Sequence, residues 1–189
     1  MNWMLLLEAL SVILNILFLV LFTKEIKLCW VFGILGSLLG AILFYYQKYY
    51  SETLLYLFYT GIGFYAYRYW NVKENETFTI KPMSSKMAFT LILSTTLLAL
   101  GLGFIMTKTD ADKPYLDALS TVFGIIATFL EIYKYLAAWL FWIAINAFTV
   151  WLYGIKELNF FAFQMIIYTL LSIRGYWLWS QKMKSEKAK

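Results

Sequence analysis

Four side chains could act chemically as a group: Trp139, Trp142, Asn146 and Tyr153, in the run WLFWIAIN and the seven residues after it. At about 100° per residue they fall within roughly 60° of arc, so a helix presents them as one stripe. Asn146 lies roughly 10 Å along the axis from Trp139 at a rise of about 1.5 Å per residue. The residues around it are apolar, so an amide at that depth must hydrogen-bond to a neighbouring helix or to a ligand. Flat indoles beside an amide suit a flat heteroaromatic ring bearing hydrogen-bonding groups. Trp139, nearest the helix start, is equally suited to anchoring at a membrane interface. Two further stripes share this character: Tyr56, Tyr59, Gly63, Tyr67 and Trp70 in one, and Gln164, Tyr168 and Gly175 in the other. Aromatic stripes at helical spacing serve packing more often than pockets, but together these outline an aromatic-lined passage. The candidate substrate-binding residues are Trp142, Asn146, Trp139, Tyr153, Tyr59, Tyr56, Gln164 and Tyr168.

Other chemistries lack their residues. The chain has no histidine and a single cysteine, Cys29. Histidine/cysteine metal sites, nucleophile–histidine hydrolysis and an internal disulfide are therefore excluded, and neither an enzyme nor a bound metal or cofactor is expected. A retinal photoreceptor needs a lysine inside a helix, and the last apolar run has none before Lys182. The net charge of +5 comes from basic residues between apolar runs and at the tail, so no nucleic-acid partner is expected.

The elements that must position these residues are transmembrane helices. Of the 189 residues, 62% are hydrophobic and only 14% charged, against about half and a quarter in soluble domains. A hydrocarbon core needs about 20 apolar residues per helix. The runs that qualify are 4–22, 29–47, 52–70, 87–107, 115–132, 136–155 and 159–180. No basic residue precedes the first run, which reads as a retained helix rather than a cleaved signal. Of the 16 Lys and Arg, twelve fall on one side of this topology and only Lys48, Lys108, Lys113 and Lys156 on the other. The positive-inside rule puts the larger set in the cytoplasm, with the N-terminus outside and the C-terminus inside. The loop at 71–86, NVKENETFTIKPMSSK, reads as a solvated cytoplasmic linker, and the basic tail at 181–189 as a headgroup anchor.

The chain also repeats itself. Residues 7–70 laid on 116–179, at a constant offset of 109, match at 14 of 64 positions, including Ser11/Ser120, Trp30/Trp139, Tyr59/Tyr168 and Trp70/Trp179. Chance would give roughly five in so biased a composition. The expected fold is an all-α polytopic membrane protein with two parallel three-helix bundles, 1–70 and 115–180, joined by a linking helix at 87–107. Four crossings separate the first helix from the fifth, so the bundles share one orientation about an axis along the membrane normal. This 3+1+3 pseudo-symmetry is that of SWEET carriers, which bind substrate between the repeats.

These residues resemble the Pnu (PnuC-type) family of bacterial vitamin transporters. The family's sixth-helix pattern W-x-x-W-x-x-x-N-x-x-x-x-x-x-Y is met by Trp139, Trp142, Asn146 and Tyr153. LEAL near the start, YKYLAAWLFW at 133–142 and FYAYRYW closing the third helix are similar to the family as well. The resemblance implies that Trp142, Asn146 and Trp139 hold a vitamin's ring and its polar groups. It implies facilitated diffusion across the bacterial inner membrane, with a cytosolic kinase trapping the vitamin, and a homo-oligomer, a trimer by analogy. Nicotinamide riboside is the first substrate. Thiamine stands second, because nicotinamide riboside carriers often have amides where this chain has Gly36, Tyr56 and Gly63. A small sugar carrier or a non-transport membrane protein is a more distant alternative. The carboxylates Glu8, Asp117 and Glu131 lie near helix ends, so no mid-membrane relay is expected and transport reads as uniport by alternating access.

Overall fold

The computed structural model describes residues 3–46, 50–73, 79–109, 113–155 and 159–187; the side chains of 50–52, 153, 159–161 and 187 lie outside the description. Seven helices follow one another among these residues: α1 (Trp3–Thr23), α2 (Cys29–Tyr46), α3 (Tyr50–Lys73), α4 (Ser85–Met106), α5 (Pro114–Ile132), α6 (Ala137–Ile155) and α7 (Asn159–Lys187). Four of them, α1, α2, α4 and α5, are long and apolar enough to cross a membrane. In α6 the apolar stretch among the described side chains is Ala137–Leu152, while α3 and α7 carry tyrosines and have charges at their ends. The protein is thus an all-helical, multi-pass membrane protein.

Helix ends follow local chemistry. Ser84 caps α4 by accepting a hydrogen bond from the Met87 N–H at 3.2 Å. Pro114 occupies the first position of α5, where its missing N–H costs nothing, and Asp117 sits in the first turn against the positive end of the helix dipole. Helix α7 outruns its apolar segment and continues to Lys187. Its polar end is rich in helix-forming Lys and Glu, and Lys182 lies 3.9 Å from Glu186 one turn on.

The chain divides into two compact units, 1–78 and 79–189. In the first, α2 is the middle helix, packed on both α1 and α3. Small residues allow the approach. The Ser11 hydroxyl donates to the Gly36 carbonyl at 2.8 Å, and a side chain at Gly40 would run into the Tyr56 ring. An aromatic cluster fills one end: Phe18, Phe22, Trp30 and Trp70 pack with centroids 5.4–5.8 Å apart. In the second unit α6 is the middle helix, packed on α5 and α7, and α4 joins on the far side of α5. There Tyr115 lies directly against Gly103.

The repeat is visible in the internal geometry of each unit. Both first turns are Schellman motifs. The Ile26 N–H donates to the Leu21 carbonyl at 3.1 Å, and the Tyr135 N–H to the Leu130 carbonyl at 2.9 Å. The residue in the left-handed region is Glu25 in one and Lys134 in the other, each with φ of 56°, and 25 + 109 is 134. The matched tryptophans also pair alike. Trp30 meets Trp70 edge-to-face at 5.7 Å and 80°, and Trp139 meets Trp179 at 5.4 Å and 89°.

The linker read as solvated is docked at its C-terminal end. Ile80 is buried, 4% exposed. The Lys81 N–H donates to the Lys134 carbonyl at 2.8 Å, and the Leu136 N–H donates to the Lys81 carbonyl at 3.0 Å. Lys81 thus forms a parallel bridge with Tyr135 on the α5–α6 turn. Residues 74–78 of the linker lie outside the described residues.

Candidate functional site

Helix α6 carries its stripe toward α7, and the two run antiparallel, so successive turns of one meet successive turns of the other. At the start of α6, Trp139 is completely buried. Its six-membered ring rests where a side chain at Gly175 would be, with Trp179 edge-on beside it. This indole is built into the packing of α6 on α7 rather than placed at a lipid interface. One turn along, Trp142 is half-buried. Its indole nitrogen is shielded from solvent with no acceptor in hydrogen-bond geometry among the described residues. Another turn on, Asn146 is 4% exposed, and its amide nitrogen reaches the Ser172 hydroxyl on α7 at 3.5 Å, a long bond. The Tyr153 side chain lies outside the described residues.

On α7, Gln164 is buried and donates through Nε2 to the Tyr168 hydroxyl at 2.9 Å. Gln164, Tyr168, Ser172, Gly175 and Trp179 recur every three or four residues, so they share one face. That face runs from amide and phenol, through serine, to the tryptophan pair. Trp139, Trp142, Asn146, Gln164 and Tyr168 are therefore placed by two adjacent helices of one unit. Tyr56 and Tyr59 belong to the other unit. Their rings are 6.1 Å apart, and Tyr56 meets Phe44 edge-on at 4.9 Å. Nearby in that unit, the space a side chain at Gly36 would fill holds the amide of Asn15, whose nitrogen points to the Ser11 hydroxyl at 3.4 Å.

Two residues beside the stripe escape a reading of the sequence. Ser172 is almost fully buried opposite Asn146; its signal is a hydroxyl four residues after Tyr168 and eight after Gln164, continuing the polar face of α7. Glu131 has an end-of-helix position that reads as interfacial, yet it is only 3% exposed. Its carboxyl group is close enough to interact with the Trp142 indole N–H. What the arrangement offers is an indole donor beside a carboxyl group, an amide with spare hydrogen-bonding capacity and a phenol–amide pair. Those groups suit binding an aromatic, polar small molecule. Among the described residues no cluster of three or more metal-ligating side chains occurs.

Comparison with known proteins agrees with this chemistry. The family model described as nicotinamide mononucleotide transporter matches residues 5–181. The nicotinamide riboside transporter PnuC of Escherichia coli (strain K12) is 24% identical, over 78% of this chain and 74% of that protein. The protein of the same name from Haemophilus influenzae is 28% identical, over 70% of this chain and 60% of its own length. A crystal structure of the vitamin B3 transporter PnuC superimposes with a TM-score of 0.80, covering 95% of this chain and 82% of that one at 22% identity, which shows a shared fold. These relatives are transporters and not enzymes, and the chain belongs to the nicotinamide mononucleotide transporter family.

Proposed function

We propose that this protein takes up nicotinamide riboside. The observation that carries the reading is the α6 stripe itself: Trp142, whose indole N–H meets no acceptor in hydrogen-bond geometry among the described residues, followed one turn on by Asn146, which reaches Ser172 by a long bond. A nicotinamide ring stacks on an indole and presents a carboxamide that exchanges hydrogen bonds with an asparagine amide. The curated relatives are named for that same riboside. Those names favour the riboside over thiamine.

In this reading Trp142 and Asn146 hold the ring and its carboxamide, with Trp139 as the support beneath them. Tyr153, Tyr59, Tyr56, Gln164 and Tyr168 line the passage. All seven helices cross the bacterial inner membrane, with the N-terminus periplasmic and the C-terminus cytoplasmic. They form two parallel bundles of three joined by α4, which rock about the substrate in alternating access. No ion is coupled to the step. A cytosolic kinase traps the product and makes uptake net inward, and the transporter assembles as a homotrimer.

The test is calorimetric titration of the purified protein with nicotinamide riboside and thiamine, beside uptake of labelled riboside into kinase-free vesicles. Binding of the riboside alone, lost in Trp142→Ala and Asn146→Ala, is expected, with vesicles filling only to the outside concentration. No riboside binding refutes the substrate, and accumulation driven by an ion gradient refutes uniport.

A further inference from the structure

The two units are built on one repeat, so matched positions can be compared directly. In the first unit Phe18 and Phe22 stack on α1, with centroids 5.7 Å apart and planes 18° from parallel. The Phe18 ring fills the space over Gly33 of α2, 2.9 Å from where a side chain would begin. Adding 109 to each number gives Ala127, Glu131 and Trp142. The large ring has moved from the outer helix to the middle one. The small residue has moved the opposite way. The second phenyl group has become a carboxylate. Glu131 occupies the repeat position of the completely buried Phe22 and is itself 3% exposed.

A carboxylate buried where its counterpart is a phenyl ring loses most of its hydration, which is costly unless a cation or several donors replace the water. Glu131 is nevertheless buried beside the indole N–H of Trp142, which meets no acceptor in full hydrogen-bond geometry among the described residues. A single indole donor does not replace the water that a carboxylate sheds on burial. The neighbouring turns of the stripe, Trp142 and Asn146, are the groups to which the riboside reading assigns the ring. The ring of nicotinamide riboside is a pyridinium and carries a full positive charge.

Resting on that reading, we propose that Glu131 is a substrate-binding residue, the counter-ion of the cationic ring, so that selection is for charge as well as for shape. The ring lies against the Trp142 indole, which contributes a cation–π attraction, and Glu131 supplies the opposite charge from α5. On this arrangement the site discriminates against a neutral molecule of the same outline, which offers no opposite charge to hold Glu131 in its ionised form.

The probe is the reduced riboside, 1,4-dihydronicotinamide riboside, which keeps the ribose and the carboxamide and has no charge. Calorimetry on the purified full-length protein compares it with nicotinamide riboside, in the parent and in Glu131→Gln. The parent is expected to bind the cation at least roughly 30-fold more tightly than the neutral form, the scale of removing one member of a buried charge pair. Glu131→Gln is expected to lose that factor for the cation and to change by less than about 3-fold for the neutral form, equalising the two. Equal losses for both ligands, or no change for either, overturn the inference and leave Glu131 a packing residue. If the variant does not fold, the parent still decides, since equal affinity for the two forms overturns the inference by itself. A parent that binds neither form overturns the riboside reading and this inference with it, whereas a parent that binds both alike overturns the inference alone.

Discussion

Substituting Gly175 by alanine tests whether the α6–α7 contact is as tight as its geometry implies. A methyl group there would meet three atoms of the Trp139 six-membered ring, all well inside normal contact distance. A flexible side chain would swing aside. The indole cannot: it is fully buried and has Trp179 edge-on at 5.4 Å. The helices must separate or the ring must leave its rotamer, and overpacking of this kind costs about 1–3 kcal/mol. Alanine in a helix interior recovers about 0.5–1 kcal/mol over glycine. The net loss is then about 1–2 kcal/mol, and a chain of this size shifts by about 2–4 °C per kcal/mol, so a fall of roughly 2–8 °C is expected. Gly61→Ala is the control, because nothing lies within 4 Å of a side chain at that position. It should show the propensity gain alone, a rise of about 1–4 °C. The assay is thermal unfolding in one detergent, followed by tryptophan fluorescence. If Gly175→Ala melts with or above Gly61→Ala, Trp139 is not locked in place and the description of the stripe's base is wrong.

Three further outcomes follow from other contacts. Glu25→Gly should stabilise the protein by about 1 kcal/mol, since Glu25 holds φ of 56° at the α1–α2 turn and only glycine does so without steric cost; a thermal midpoint at or below the parent's refutes it. Ser172→Ala removes the partner of Asn146 and should weaken riboside binding about 3- to 10-fold, the value of one modest hydrogen bond, as calorimetry can read. Hydrogen exchange should find the Lys81 and Leu136 amides protected together and released together in an Ile80→Asp variant, because both bonds belong to one docked bridge.

Much of the fold was legible because lipid makes simple demands on a sequence. Apolar runs of about 20 residues locate helices well: the run read at 29–47 is helix Cys29–Tyr46, and the run read at 115–132 is Pro114–Ile132. What escaped lies where the signal is not apolar. The last two turns of α7 to Lys187 are polar, so hydropathy stops short while helix propensity continues. The bridge at Lys81 is made by backbone atoms and leaves no mark in side-chain pattern. For the site, the α6 stripe was readable from periodicity alone, which orders residues along one helix but is silent about what the next helix presents. Ser172 faces Asn146 because of how α7 packs. Trp139 is encased because residue 175 is glycine, a fact that periodicity registers only as a gap.

Glu131 makes the same point about charge. Counting along α5 puts it one residue from the helix end, where a carboxylate is normally wetted. The Schellman turn that follows reverses the chain within a few residues, with the Tyr135 N–H bonded back to Leu130. That reversal brings the first turns of α6, with its tryptophans, over the end of α5 and shuts water out. The same turn at Glu25 closes the first unit over Phe22, where exclusion of water is favourable. One backbone motif used twice thus has opposite electrostatic consequences, set by a single side chain. In the first unit it completes an apolar core. In the second it isolates an acid beside the indole donor of Trp142, and a carboxylate held in that way has its greatest effect on the charge of whatever binds next to it.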